Sequence, residues 1–136
     1  LARLNRTLAC IDLPIVTAMS LPPTAGWLVA LIQGTDGLLG LGTPVLAFPP
    51  MAWLFLHVGG ILGVMWAVLR LARPDDVLIT WIDAGGRLAS AALIVYCVAF
   101  TGATPVLLIF LTSEVGGAVV EFRALPRPPN QEPSHA

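Results

Sequence analysis

The stretch PPMAWLFLHVGGILGVMWAVLRLARP, residues 49–74, decides the fold class. From Met51 to Ala72 it carries no acidic residue, and its two arginines, Arg70 and Arg73, fall at one end before Pro74. The hydrocarbon core of a bilayer takes about 20 predominantly apolar residues of helix. A run of this length and apolarity therefore reads as a transmembrane helix.

Three further runs of the same kind surround it. One extends from Gly26 to Phe48 and is closed by Pro49-Pro50. The others extend from Leu78 to Thr101 and from Pro105 to Arg123. The expected fold is thus all-α: a four-helix transmembrane bundle over residues 26–125. A short interfacial segment, 1–25, precedes it, and a disordered tail, 126–136, follows it. The tail, PRPPNQEPSHA, is polar and Pro-rich, a composition that buries too little apolar surface to fold. The segment from Leu8 to Leu21 is too short to span and contains Asp12 and Pro14, so it reads as interfacial or re-entrant. The alternative starts the first span near Leu8. Asp12 and Pro14 also break the apolar run that a cleaved signal peptide would need after Arg3 and Arg6.

Composition agrees with a membrane setting. Of 136 residues, 57% are hydrophobic and 11% charged, against about 25% charged in soluble domains. A soluble domain this small buries only part of its apolar surface, which leaves the bilayer as solvent. The net charge of −1 gives no basic surface for nucleic acid. Cys10 and Cys97 imply no disulfide framework. All basic residues are Arg: Arg3 and Arg6 before the first span, Arg70 and Arg73 between the second and third, Arg123 and Arg127 after the fourth, and Arg87 inside the third. By the positive-inside rule both termini and the middle loop are expected in the cytoplasm, in the manner of a bacterial inner-membrane protein.

The chemistry is expected from the polar residues within the spans, because an ionisable group in hydrocarbon is costly unless paired or wet. Asp36 falls near the middle of the first span, with Gln33 on the same helical face. His57 lies about two turns into the second, and Trp66 is deep enough to line the bundle. Asp83 and Arg87 are spaced i, i+4 in the third. Glu114 falls near the middle of the fourth, and Glu121 near its end, where it is expected to reach the headgroups beside Arg123. At these depths Asp36, Glu114 and Arg87 are expected to meet near the midplane. One ionised and one protonated carboxyl beside an arginine is an acid–base arrangement. Asp36, Glu114, Arg87 and His57 are the candidate catalytic residues, and Gln33, Asp83 and Trp66 the candidate substrate contacts. The structural alternatives are an Asp83–Arg87 ion pair, and a His57 ring bonded to a backbone carbonyl. Neither zinc-ligand spacing nor a cofactor motif is present, so no metal and no cofactor are expected.

Small residues let membrane helices approach closely, as in the GxxxG pattern Gly59–Gly63 and the pair Gly86–Ser90. The run QGTDGLLGLG in the first span, HVGG in the second, DAGGR in the third and SEVGGAVVE in the fourth resemble two groups of small four-helix membrane proteins. These are the DoxX-like proteins and the EXPERA group, which includes sterol isomerases of the emopamil-binding kind. The EXPERA resemblance implies that Asp36, His57 and Glu114 face an enclosed cavity for a lipophilic molecule. The leading expectation is an intramembrane enzyme that isomerises, cyclises or opens an epoxide in such a molecule by acid–base chemistry. The alternatives are an accessory subunit bound to a membrane-protein partner, and a proton-coupled transporter acting as a homodimer. Membrane lipids are partners in every case.

Overall fold

The computed structural model describes residues 1–44 and 48–126. The expectations for residues from 127 onward, Arg127 and the disordered tail among them, lie outside the described residues. Among the described residues five helices follow one another: α1 (Ala2–Ser20), α2 (Pro22–Leu38), α3 (Pro50–Ala72), α4 (Val77–Phe100) and α5 (Leu108–Ala124). A short 3-10 turn, Pro105–Leu107, leads into α5.

Prolines and glycines set the boundaries. Pro50 opens α3, where its missing N–H costs nothing. Asp76 caps α4, its carboxylate accepting from the backbone N–H groups of Leu78 (2.9 Å) and Ile79 (3.3 Å). Gly102 has φ +74°, which permits the reversal before α5. α3, α4 and the stretch Pro105–Ala124 are each long and apolar enough to cross a membrane. α1 and α2 meet that test only together, as a pair bent by 107°.

The N-terminal third departs from the expected spans. The helix expected from Gly26 to Phe48 begins at Pro22 and ends at Leu38. Leu21 precedes a proline, which forces extended backbone (φ −106°, ψ 126°) and breaks the chain between α1 and α2. Beyond Leu38 the chain turns through Gly40 and Gly42, with φ of 63° and 68°. Residues 2–20 form a full helix, roughly 28 Å long at 1.5 Å per residue, and Pro14 is carried inside it.

α1 packs antiparallel along α3, and α5 along α4. Asn5 donates to Pro74 O (2.6 Å) and Thr80 Oγ1 (2.9 Å) at the α3–α4 turn, while His57 Nδ1 meets Met19 O (2.9 Å) near the other end. Asn5, Ala9, Asp12 and Val16 repeat at helical spacing along one face. α2 crosses from the end of α1 to the turn that begins α5.

The interior is built from small residues and charges. Ala9, Ala25, Ala67, Ala84 and Ala118 are fully or almost fully buried, as are Arg70 and Glu121. Large apolar side chains such as Trp27, Leu31, Phe55, Met65, Leu93 and Phe100 point outward. Lipid provides no hydrophobic drive between helices, so close backbone approach and polar contacts hold such a bundle. The glycines that provide this approach are Gly60 and Gly63, which face Ser20 and Val16 of α1, and Gly117, which faces the Arg87 side chain. Cβ atoms on Gly59 and Gly86 would meet nothing within 4 Å, so the expected GxxxG pair contributes only its second glycine here.

Candidate functional site

Six ionisable side chains from four helices converge on the half of the bundle nearest the α3–α4 turn. Arg70 Nη1 reaches Asp12 Oδ2 at 2.8 Å and Asp83 Oδ2 at 3.0 Å. Arg87 Nη2 bonds Asp12, and its Nε lies 3.2 Å from Asp83 Oδ2. Arg87 Nη1 is 3.6 Å from Glu114 Oε2, and Nε is 3.7 Å from Glu121 Oε2. Four carboxyl groups, Asp12, Asp83, Glu114 and Glu121, thus face two guanidinium groups.

The helices place these groups by simple repeats. Asp83 and Arg87 share a face of α4, as do Trp66 and Arg70 on α3. Glu114 and Glu121 are seven residues apart on α5, with Gly117 between them leaving room for the Arg87 side chain. Trp66 Nε1 donates to Asp83 Oδ1 at 2.6 Å. Trp66→Phe keeps the ring and removes this donor. The expected cost is about 1.5–3 kcal/mol, as for a bond to a charged group, read by SDS-induced unfolding. An unchanged transition would mean that Asp83 does not depend on the indole.

The cluster closes one end of a cavity of about 1140 Å³ between the α1–α3 and α4–α5 pairs. Its walls are largely apolar, with Ile15, Leu62, Ile94, Leu107 and Phe110 among them. α2 supplies another wall through Leu28, Ile32, Gln33 and Asp36. Asp36 accepts from Thr104 Oγ1 and from Thr43 N (3.2 Å), tying α2 to the turn that leads into α5.

The sequence-predicted residues therefore divide between two places. Glu114, Arg87, Asp83 and Trp66 come together. Asp36 and Gln33 line the same cavity elsewhere, held to Thr104 rather than to Arg87, so the expected meeting of Asp36 with Glu114 and Arg87 does not occur. The reason is the break at Leu21, which turns α2 across the bundle instead of along it. His57 is not among the cavity-lining residues; its ring stacks on Trp53, with centroids 6.0 Å apart, and bonds the Met19 carbonyl. Glu121, expected at the headgroups, is fully buried.

Besides Glu121, two members of the cluster were not expected. Asp12 reads in sequence as an interruption of a short apolar run, and Arg70 as a loop charge. The available signal was the match between an acid in an otherwise apolar helix and an arginine one turn from Trp66. Among the described residues, no three of His, Cys, Asp and Glu are grouped so as to hold a metal ion. Comparison with protein-family models, curated proteins and solved structures gave no match.

Proposed function

We propose that the protein binds a lipophilic small molecule in the cavity between its two helix pairs and acts on it by acid–base chemistry at the Asp12–Arg87–Glu114 end. The observation that carries this reading is the junction of a large apolar cavity with a cluster in which carboxyls outnumber guanidiniums four to two. Apolar concavities with a few convergent polar groups are the usual form of small-molecule sites. Two carboxyls in excess of the available cations leave room for two protons in the neutral cluster, and such groups can give a proton up and take it back.

In this reading Glu114, which lines the cavity and is held loosely at 3.6 Å from Arg87, is the proton donor and acceptor. Arg87 pairs with Asp12 and Asp83. Trp66 and Arg70 position Asp83. Asp36 and Gln33 contact the other end of the ligand. The reaction is redox-neutral: isomerisation, cyclisation or epoxide opening. α1, α3, α4 and the stretch Pro105–Ala124 cross the membrane, and α2 lies across the end remote from the α3–α4 turn. Support for α1 as a crossing helix comes from its pairing with α3 from Asn5–Pro74 to Met19–His57. The arginine distribution supports a cytoplasmic α3–α4 turn.

Mass spectrometry of small molecules extracted from the purified protein tests the reading. Wild type is expected to carry one lipophilic compound near stoichiometry. Gly86→Phe is expected to lose it while remaining folded, because Gly86 lines the cavity and a Cβ there meets nothing within 4 Å. Bulk phospholipid alone in both preparations would count against an enclosed ligand site.

A further inference from the structure

We infer that α2 is a hinged cover over the cavity, held shut by the hydrogen bond that Thr104 donates to Asp36. The inference concerns access to the cavity and is independent of the acid–base chemistry proposed for its charged end.

α2 turns one face to the cavity. Leu28, Val29, Ile32, Gln33, Asp36 and Gly37 all line it. Adjacent pairs repeated every four residues form a single stripe of a helix. The opposite side, with Trp27, Leu31 and Leu38, is exposed. Of the 17 residues of α2, only Ala25 and Asp36 are buried. α1 and α5 each lie along a partner helix, whereas the main contacts of α2 are with α1, which precedes it, and with the Pro105–Leu107 turn. An element with so few buried contacts opens at lower cost than the packed helices around it.

The two ends of α2 are held differently. At its start the extended residue Leu21 joins it to α1, and Thr24 Oγ1 donates back to Ala18 O at 2.8 Å. That end is the hinge. Near its other end the Asp36 carboxylate accepts from Thr104 Oγ1, in the connection between α4 and α5. Among the described residues this is the one side-chain hydrogen bond between α2 and the α4–α5 half of the protein. No ion pair among the described residues includes Asp36, so a neutral hydroxyl, rather than an arginine, secures a buried acid in the cavity wall. Thr43 N, which holds the other carboxylate oxygen, belongs to the chain that leaves α2 and travels with it. Gly40 and Gly42, at positive φ, give that chain the freedom to follow.

The test is spin-label distance measurement by pulsed electron resonance on the full chain in lipid nanodiscs. Cys10→Ser and Cys97→Ser leave only introduced cysteines to label. Leu31→Cys with Leu93→Cys reports α2 against α4, and Phe55→Cys with Leu93→Cys reports α3 against α4; all three positions are exposed. Leu31 stands about 15 Å along the helix from Leu21, so a swing of about 20° displaces it by about 5 Å. With the latch intact, each pair is expected to give one dominant, narrow distance. Thr104→Val keeps the shape and removes the donor. It is expected to raise the ratio of long to short α2 distances at least about tenfold, as the loss of a bond to a charged group does, and to leave the α3–α4 distance unchanged. Asp36→Ala is expected to do the same while sparing the bond from Val106 N to Thr104 Oγ1 (3.2 Å). Thr104→Ser, which keeps the hydroxyl, is expected to stay shut. An α2 distance unchanged in folded Thr104→Val or Asp36→Ala overturns the inference. So does a shift of both pairs together, which is general loosening of the bundle. A broad α2 distance in the latch-intact protein also overturns it, without any variant having to fold. No arm depends on a bound molecule, so this inference and the ligand reading fail separately.

Discussion

Arg87→Met is expected to lower the stability of the bundle by about 3–5 kcal/mol, the cost of breaking a buried ion pair by removing one partner. Arg87 touches Asp12, Asp83, Glu114 and Glu121, from three different helices. Methionine fills similar space but leaves four carboxyls to share Arg70 alone. SDS-induced unfolding followed by tryptophan fluorescence reads the effect. Arg87→Lys is expected to recover only part of the loss, since an ammonium lacks the planar fork that reaches several acids at once. Adding Glu121→Gln to Arg87→Met is expected to restore stability beyond an additive sum, because the two residues belong to one charge network. A loss below about 1 kcal/mol for Arg87→Met would be the behaviour of an exposed pair, and would contradict the buried cluster.

Gly60→Leu is the second large effect. A Cβ at Gly60 would fall 2.4 Å from Ser20 N and 2.7 Å from Met19 C. Both atoms are backbone, so no side chain can swing aside, and α1 itself has to move. Overpacking typically costs about 1–3 kcal/mol, occasionally more, and here the value is expected at the upper end. Gly59→Leu is the matched control. It lies one residue away on the same helix, where a Cβ meets nothing within 4 Å, and is expected to fall within about 0.5 kcal/mol of wild type. Equal losses at both positions would show that the cost is one of helix backbone rather than of contact with α1.

The apolar runs of α3, α4 and α5 were legible in the sequence because each is continuous and ends in Pro, Gly or Arg. The first third was not. Its continuity is broken at Leu21 by the proline that follows, and the resulting bend sends Asp36 to Thr104, 68 residues away. α1 was hidden for a related reason. Asp12 looks costly in a membrane helix until Arg70 and Arg87 are placed beside it, 58 and 75 residues further on. A local reading prices the acid without its partners.

Arg70 and Glu121 show a second limit. Both lie within a turn of a helix end, and distance from the end suggested side chains reaching water. Direction decided otherwise, since each projects into the bundle and is almost completely buried. Asp83 and Arg87 were legible as a pair because both lie on one helix, four residues apart. Their joint use by α1 and α5 required the tertiary arrangement.

The alanine-filled interior inverts how this protein would respond to mutagenesis. Truncating side chains one at a time to alanine would leave Ala9, Ala25, Ala67, Ala84 and Ala118 unprobed, although they are among its most enclosed positions. The informative change is enlargement. A leucine scan would find these five positions intolerant, and would fall nearly silent at Phe55, Met65 and Phe100, whose large apolar side chains point outward, so that one greasy side chain serves as well as another. Sequence drift in this chain is therefore expected to concentrate in its largest apolar residues, and to stop at its smallest.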